Sequence, residues 1–452
     1  MLTTIHEIFA TKDKRFDTFL SVNNTMSFKI CSIKIAIFAL FLLSFAIHAA
    51  AQTVNFPAPR EEKLLNGLRL LVWNEPQAAK VSVKLRIHSG AAFDQQTKEG
   101  TMSLLSEILF PNDAAKEYFT EDLNGSFEIV SNYDYIQINI TGDNDKILEI
   151  LEPLSAAVQN TVIDKETTAK IKAVHLAKVQ ELEKNPAYIA DQAVAKRLFG
   201  NFPYGRPQLG SSESIAKIDF ADILLAKQKF LTSDNATLAV SGNVKPEFIF
   251  RACKRYFGGW LKTDKKIPST FTSPDAPDTK TFLTRTETEN TSELRYAFRG
   301  LARNDKDFGV SQILTRILQN RLTLKEKSGT VRQESHFLPG VVVFELPKWN
   351  VGMVKIDGNK ISLPVNFFTY ITDLLKPNVE TSEFDKAKSD FLSEFNRQSS
   401  SDFWLDNHTF KFLPIKDEVQ KTNNISLADT QRILENWRTQ PITTSLVVTA
   451  PK

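Results

Sequence analysis

Three residues whose side chains could take part in catalysis or metal binding lie close together in one short stretch: Ser103, Ser106 and Glu107. Apolar residues around them recur at helical spacing, so 100–110 is predicted to be a helix with one buried face. A serine could act as a nucleophile and a carboxylate could bind a metal. Because no Gly-x-Ser-x-Gly elbow surrounds the two serines, we interpret them as ordinary helix-face residues.

A metal site is the second possibility for this stretch. A catalytic zinc site needs three nitrogen, sulfur or carboxylate donors and an open water position. Neither a C-x-x-C nor an H-x-x-x-H pair occurs in the chain, and beyond residue 52 its histidines are scattered at His88, His175, His336 and His408. His175 lies one turn before Lys178 on a predicted helix and could approach Glu107. It is interpreted as a packed structural histidine, with a rebuilt metal site as the alternative.

The elements that must position these residues follow a regular order. Residues 81–87 alternate between apolar and polar as a half-buried strand does, and they precede a Ser-Gly turn and the helix at 100–110. Asn66-Gly67 between apolar runs predicts a hairpin. The remaining predicted elements of this half are strands at 127–130 and 135–140, helices at 147–158, 165–183 and 220–230, and a strand at 236–243.

The same order recurs further along the chain. The strands predicted around positions 83, 138 and 240 are matched around 294, 343 and 448, at nearly constant offset, and a helix at 308–318 answers the one at 100–110. We therefore predict an α+β protein of two homologous tandem domains, at 60–263 and 281–452, each a mostly antiparallel sheet packed with helices. The polar, proline-containing stretch 264–280 is the predicted linker. A two-lobed α/β binding protein fits this order of elements less well, because its strands would alternate with helices, whereas the strands predicted here come in adjacent pairs.

The strand, turn and helix order resembles the pitrilysin/insulinase family of zinc peptidases, the inverzincins. The loop at 201–210, with its Phe-Pro-Tyr-Gly sequence, is similar to the loop that follows the zinc-site helices in that family. The resemblance covers about residues 64–450. In active members the helix carries H-x-x-E-H, and a Glu on a later helix is the third ligand. By this resemblance Ser103 and Glu107 replace the two histidines, Ser106 replaces the catalytic glutamate and Lys178 replaces the third ligand.

The second half carries a similar departure from the family pattern. The segment 324–332 resembles the family motif Leu-Arg-Glu-x-x-Gly-x-x-Tyr, whose Arg and Tyr reach the substrate. Here Lys325 replaces the Arg and Arg332 replaces the Tyr. The resemblance thus implies a degenerate zinc site with no zinc cofactor, no catalytic residues and altered substrate contacts.

We also predict what fills the vacated site. The two positions that would share the zinc ion hold a carboxylate, Glu107, and an ammonium group, Lys178, so a partly buried ion pair is expected between them. The alternative is a wet cleft in which each charge is separately solvated.

Composition limits the remaining possibilities. The chain has 452 residues with 42% apolar and 24% charged residues, and its net charge of +3 gives no reason to expect nucleic acid binding. Lys29 and Lys34 precede an apolar run and a small-residue cleavage pattern, so 26–51 is predicted to be a signal peptide. Residues 1–25 are interpreted as a mis-called start and Gln52 as the mature N-terminus. An exported protein, periplasmic or secreted and not membrane-embedded, is expected.

These features lead to three functional hypotheses. The favoured one is a non-catalytic member of the family, a pseudoenzyme that forms a heterodimer with an active zinc peptidase and binds peptide or unfolded polypeptide. This resembles the silent subunit of processing-peptidase pairs. The alternatives are a free-standing peptide-binding or scaffold protein, and a metalloendopeptidase acting through an unrecognised site.

Overall fold

The computed structural model describes residues 56–449, apart from 264–270, 272, 290, 350–353 and 358–359. The predicted signal peptide at 26–51, the predicted mature start at Gln52 and part of the predicted linker lie outside the described residues. No helix within the described ranges combines the length and the apolar character needed to cross a bilayer.

The first half is built on a six-stranded sheet in the order β1-β2-β6-β3-β5-β4. All neighbours in this sheet are antiparallel except β2 and β6, which are parallel. Its strands are β1 Arg60–Lys63, β2 Arg69–Asn74, β3 Lys80–Ile87, β4 Ser126–Ser131, β5 Ile136–Asp143 and β6 Ala236–Gly242.

The second half repeats this sheet with one strand fewer. Its order is β7-β13-β8-β10-β9, and again one pair, β7 with β13, is parallel while the others are antiparallel. The strands are β7 Thr281–Thr286, β8 Ser292–Arg299, β9 Thr330–Glu334, β10 Val341–Pro347 and β13 Thr443–Thr449, with a separate small pair, β11 Lys355–Asp357 and β12 Lys360–Ser362. Position by position, β7, β13, β8, β10 and β9 occupy the places of β2, β6, β3, β5 and β4. The predicted tandem α+β fold with mostly antiparallel sheets is therefore confirmed.

Helices cover these sheets. In the first half they are α1 Thr101–Ile108, α2 Ala114–Glu117, α3 Ile147–Asn160, α4 Lys165–Leu182, α5 Pro186–Phe199, α6 Ser212–Lys217, α7 Phe220–Phe230 and α8 Pro246–Phe257. In the second half they are α9 Phe308–Lys325, α10 Tyr370–Leu375, α11 Thr381–Arg397, α12 Ser400–Phe410, α13 Ile415–Asn423 and α14 Leu427–Arg438. The sequence patterns did not predict eight of the helices that the described residues form, namely α2, α5, α6, α8, α10, α11, α12 and α13.

Local chemistry explains where several of these elements begin. The Asp164 carboxylate accepts a hydrogen bond from the Thr167 amide at 2.8 Å and starts α4 at the predicted position. Asn185 caps α5 in the same way, followed by Pro186 at the first helical position. Gly67, at φ +92°, makes the predicted turn between β1 and β2.

Each half contributes one helix that packs on the sheet of the other half. Helix α5 of the first half packs on β8 and β13 of the second sheet, and helix α12 of the second half packs on β6 of the first sheet. The α12 contact is partly ionic, because the buried Arg86 donates to Asp406 at 2.7 Å and Lys84 pairs with Asp402 at 2.5 Å. Each half also has its own large apolar core on the opposite face of its sheet. The surface between the halves holds these ionic contacts and also an apolar cluster that includes Leu198 of α5 with Ala297 and Val343 of the second sheet.

Candidate functional site

Helix α1, which carries the candidate residues, is anchored at its first turn by a buried carboxylate. The two oxygens of Asp94 accept hydrogen bonds from the amides of Gly100 and Met102 at 2.8 and 2.9 Å. Burial raises the pKa of Asp94 to about 7, although these amides oppose the shift. Gly100 has a φ of +98°, and a Cβ there would lie 2.7 Å from the Leu209 carbonyl oxygen. The start of α1 is thus held against the 201–210 loop.

The two serines on α1 are buried, and the Ser106 side chain is hydrogen-bonded within the helix. Ser103 and Ser106 are each 3% exposed. The Ser106 hydroxyl donates to the Ser103 carbonyl oxygen at 2.7 Å, a local contact that serines often make inside helices. Among the residues that the structure describes, no base is hydrogen-bonded to the Ser106 hydroxyl.

Glu107 contacts helix α4, but through His175. The Glu107 Oε1 atom lies 2.9 Å from His175 Nδ1, and His175 Nε2 lies 2.8 Å from the Leu209 carbonyl oxygen. A carbonyl and a carboxylate are both acceptors, so both ring nitrogens must donate and His175 is an imidazolium when Glu107 is ionised. Burial by itself lowers the pKa of His175, but the hydrogen bonds to Glu107 and Leu209 outweigh it and the net pKa lies above 6.5.

Lys178 does not join this contact, so the predicted Glu107–Lys178 ion pair is wrong. The Lys178 side chain is exposed, and the partner of the Glu107 carboxylate is His175, one turn earlier on α4. Among the described residues Lys178 forms no ion pair. An extended lysine gains more from solvation than from entering a contact already occupied by an imidazolium. The solvated alternative holds for Lys178 but not for Glu107.

The residues at the vacated site do not match the donor set of a catalytic zinc ion. By the resemblance to the family, the ligand positions hold two buried serines, one carboxylate paired with a histidine and one exposed ammonium group. His175 could supply a nitrogen only after losing a proton. Within the described ranges no group of three or more His, Cys, Asp or Glu side chains is placed to hold a metal.

The two substituted positions of the second half are separated. Lys325 is exposed at the end of α9, with its ammonium nitrogen 5.7 Å from the centre of the Tyr370 ring. Arg332 on β9 pairs with Asp191 of α5, in the first half, at 3.3 Å. It also pairs with Glu334 and Glu345 of its own sheet. Only Arg332 of the two lies near the residues of the first half.

A cavity of about 250 Å³ lies between the halves, beside the vacated site. The loop residue Leu209, whose carbonyl oxygen binds His175, is part of its wall. The other walls come from α5, β9, β10, the turn between β4 and β5, and the loops that carry Tyr204 and His336. They include Tyr133, Tyr188, Asp191, Tyr204, Arg332, Glu334 and His336. We call it the tyrosine-lined cavity.

A buried polar contact closes this cavity between the two halves. His336 Nδ1 lies 2.9 Å from one oxygen of Asp134, and the Tyr204 hydroxyl donates to the other at 2.8 Å. The His336 ring lies 4.3 Å from the Tyr204 ring, centre to centre. Sequence reasoning placed His336 in the second half without a role. Its partners are far away in the chain, so no local pattern indicates the contact.

Two family models match the chain. The model for insulinase, peptidase family M16, matches residues 69–212, and the model for the peptidase M16 inactive domain matches residues 217–337. The chain belongs to the insulinase family. Together the two models match most of the first half and the second half as far as residue 337.

Relatives of this family member are distant in sequence. An uncharacterized zinc protease of Rickettsia felis is 25% identical over 211 residues, 45% of this chain and 50% of that protein. Mitochondrial-processing peptidase subunit beta of Bos taurus is 24% identical over 228 residues, covering 49% and 46%. Cytochrome b-c1 complex subunit 1 of Saccharomyces cerevisiae is 28% identical over 204 residues, covering 44% of each. The matched region thus spans about half the length of these relatives.

Solved structures match more of the chain. A protease from Helicobacter pylori superposes with a TM-score of 0.76 at 16% identity, covering 87% of this chain and all of that one. A peptidase M16 inactive domain from Pseudomonas fluorescens gives 0.74 at 15% identity, covering 87% and 98%. At such identities the likeness concerns the fold alone.

Proposed function

We propose that this insulinase-family member is an exported, non-catalytic peptide-binding protein that works as the silent partner of an active zinc peptidase of the same family. The observation that carries the proposal is the Glu107–His175 contact. Helices α1 and α4 are packed together as a zinc site requires, but an internal ion pair joins them where the metal ligands would stand. The packed helices of the site are retained but its metal ligands are not, which suits a subunit that provides binding surface for peptide and does not catalyse hydrolysis.

Names of relatives support a role in an assembly. Two of the matched proteins are named as subunits, one of a processing peptidase and one of the cytochrome b-c1 complex. The predicted signal peptide at 26–51 supports export.

Peptide binding is supported by the inner surface between the halves. Strand β9 is one of the two edge strands of the second sheet, and an edge strand can pair with an extended peptide. Its side chains Arg332 and Glu334 also line the tyrosine-lined cavity, which would place one side chain of such a peptide inside.

Metal content tests the loss of catalysis. The purified chain should contain no stoichiometric zinc by elemental analysis after dialysis. A matched variant restores the family pattern with Ser103→His, Ser106→Glu, Glu107→His and Lys178→Glu, and it should retain about one zinc ion per chain. Zinc at one equivalent in the unmodified chain would contradict the proposal, and its absence from both would show that the assumed alignment is wrong.

Co-purification and hydrolysis test the partner role. We expect the chain to co-elute with an H-x-x-E-H peptidase of the same organism and to change that enzyme's cleavage of a quenched peptide. Binding of peptide without any such partner would favour the free-standing scaffold. Chelator-sensitive hydrolysis by the single chain would instead favour a metallopeptidase with an unrecognised site.

A further inference from the structure

A second cavity lies within the second half, among helices α9, α11, α12 and α13. It has a volume of about 350 Å³ and shares no lining residue with the tyrosine-lined cavity. We propose that this cavity binds a free α-amino acid with an apolar side chain. The inference is independent of the proposed peptide-binding function. It is carried by two buried groups of opposite charge that lack hydrogen-bond partners and by the apolar walls beside them.

Arg303, which precedes α9, supplies the positive group. It is 9% exposed and lines the cavity, and its guanidinium group packs 4.4 and 4.3 Å from the ring centres of Phe308 and Phe412. Its distances to carboxylate oxygens of Asp406 and Glu418, 4.0 and 3.9 Å, are too long for hydrogen bonds. No described residue accepts a hydrogen bond from this group, whose Nη1 atom is buried. A buried cation in this state favours a ligand that brings a carboxylate.

Glu418 on α13 supplies the negative group. It is buried, lines the same cavity and accepts no hydrogen bond from the described residues, although Arg303 lies 3.9 Å away. The neighbouring Asp406 differs, because its carboxylate accepts a hydrogen bond from Arg86 at 2.7 Å. Burial raises the pKa of Glu418, although the charges of Arg303 and Lys421 oppose the shift. An ammonium group of a ligand would compensate the charge of Glu418 and donate hydrogen bonds to it.

A single ligand satisfies both groups only if it carries both charges. A simple anion would leave Glu418 without a donor, and a simple cation would leave Arg303 without an acceptor. An α-amino acid holds its carboxylate and ammonium groups one carbon atom apart, which suits two protein groups 3.9 Å apart. Phe391 and Phe395 of α11 offer an apolar wall for its side chain. A volume of about 350 Å³ lies at the lower end of small-molecule pockets and suits one amino acid.

The test compares amino acids with analogues that lack one charge. L-leucine, L-methionine and L-phenylalanine are titrated into the full chain by isothermal calorimetry at pH 7 and about 0.15 M salt. N-acetyl-L-leucine removes the ammonium charge, and L-leucinamide removes the carboxylate. We expect saturable binding of at least one of the amino acids, and binding of each leucine analogue at least about tenfold weaker than that of leucine. No saturable binding of the three amino acids up to about 10 mM, or equal binding of either analogue, would overturn the inference.

The variant Glu418→Gln tests whether binding occurs in this cavity. It keeps the shape of the side chain and removes a buried charge without hydrogen-bond partners, so it should fold, as circular dichroism would verify. We expect leucine to bind it at least about tenfold more weakly, with binding of N-acetyl-L-leucine not reduced. The control Asp417→Asn changes an exposed carboxylate on the same helix and should keep leucine affinity within about twofold. Undiminished leucine binding to Glu418→Gln would overturn the assignment, and if that variant does not fold, the analogue comparison decides alone.

Discussion

The contact between Glu107 and His175 makes a pH-dependent contribution to stability that a single substitution should remove. Glu107→Gln keeps the shape of the side chain and lets its amide donate to a neutral His175, while Nε2–H still donates to Leu209. A charge-assisted hydrogen bond is worth about 1.5–3 kcal/mol and a neutral one about 0.5–1.5 kcal/mol. The variant should therefore lose about 1–1.5 kcal/mol of unfolding free energy below pH 6.5.

The sign of the pH dependence follows from the direction of the pKa shift. The folded-state pKa of His175 lies above 6.5, so its stabilisation is complete below that pH and is lost as the pH rises through the folded pKa. Urea unfolding of both proteins should show a difference at about pH 6 that vanishes by about pH 9. Burial lowers the pKa of His88, and that of His408 to about 4, with the opposite effect on stability. Both proteins share these two histidines, so their contributions cancel in the comparison.

A matched control lies on the same helix. Glu181 on α4 is largely exposed, and among the described residues its carboxylate pairs with Lys184 alone, so Glu181→Gln should cost less than about 0.5 kcal/mol at every pH. An equal effect of Glu107→Gln at both pH values would refute the reasoning. So would an NMR titration in which the His175 ring has its midpoint at or below 6.5.

Three further predictions concern Lys178, Asp406 and the N-terminus of the mature protein. In a double-mutant cycle Lys178→Met and Glu107→Gln should be additive within about 0.5 kcal/mol, because their side chains do not pair; a larger coupling measured by urea unfolding would restore the ion pair rejected above. Asp406→Asn should cost about 3 kcal/mol in unfolding free energy, since it leaves the buried guanidinium of Arg86 without its carboxylate; a loss below about 1 kcal/mol would show that the halves do not depend on this contact. Mass spectrometry of the native protein should find its N-terminus at or near Gln52, and peptides from residues 1–25 would contradict the predicted export signal.

Much of the fold could be predicted because its signals are local. Strand alternation in β3, the cap at Asp164 and the Asn-Gly turn each depend on residues a few positions apart. The tandem repeat was visible because the two halves keep these patterns at a constant offset. Helix α5 was missed for a physical reason: its buried apolar stripe, which includes Ala190, Val194 and Leu198, is narrow, and the sheet on which it packs belongs to the other half of the chain.

The candidate site, too, was predictable only where it depends on local sequence. The sequence by itself determined which residue types stand on α1 and α4, and hence that the donors for zinc are missing from the expected positions. It could not determine that Glu107 meets His175 while Lys178 stays in solvent, because residues one turn apart differ only in how the helix is rotated against its neighbour. The contact between Asp134 and His336 joins residues 202 positions apart. Only the tertiary structure decided that pairing and the cavity beside it, because both depend on how the two halves pack together.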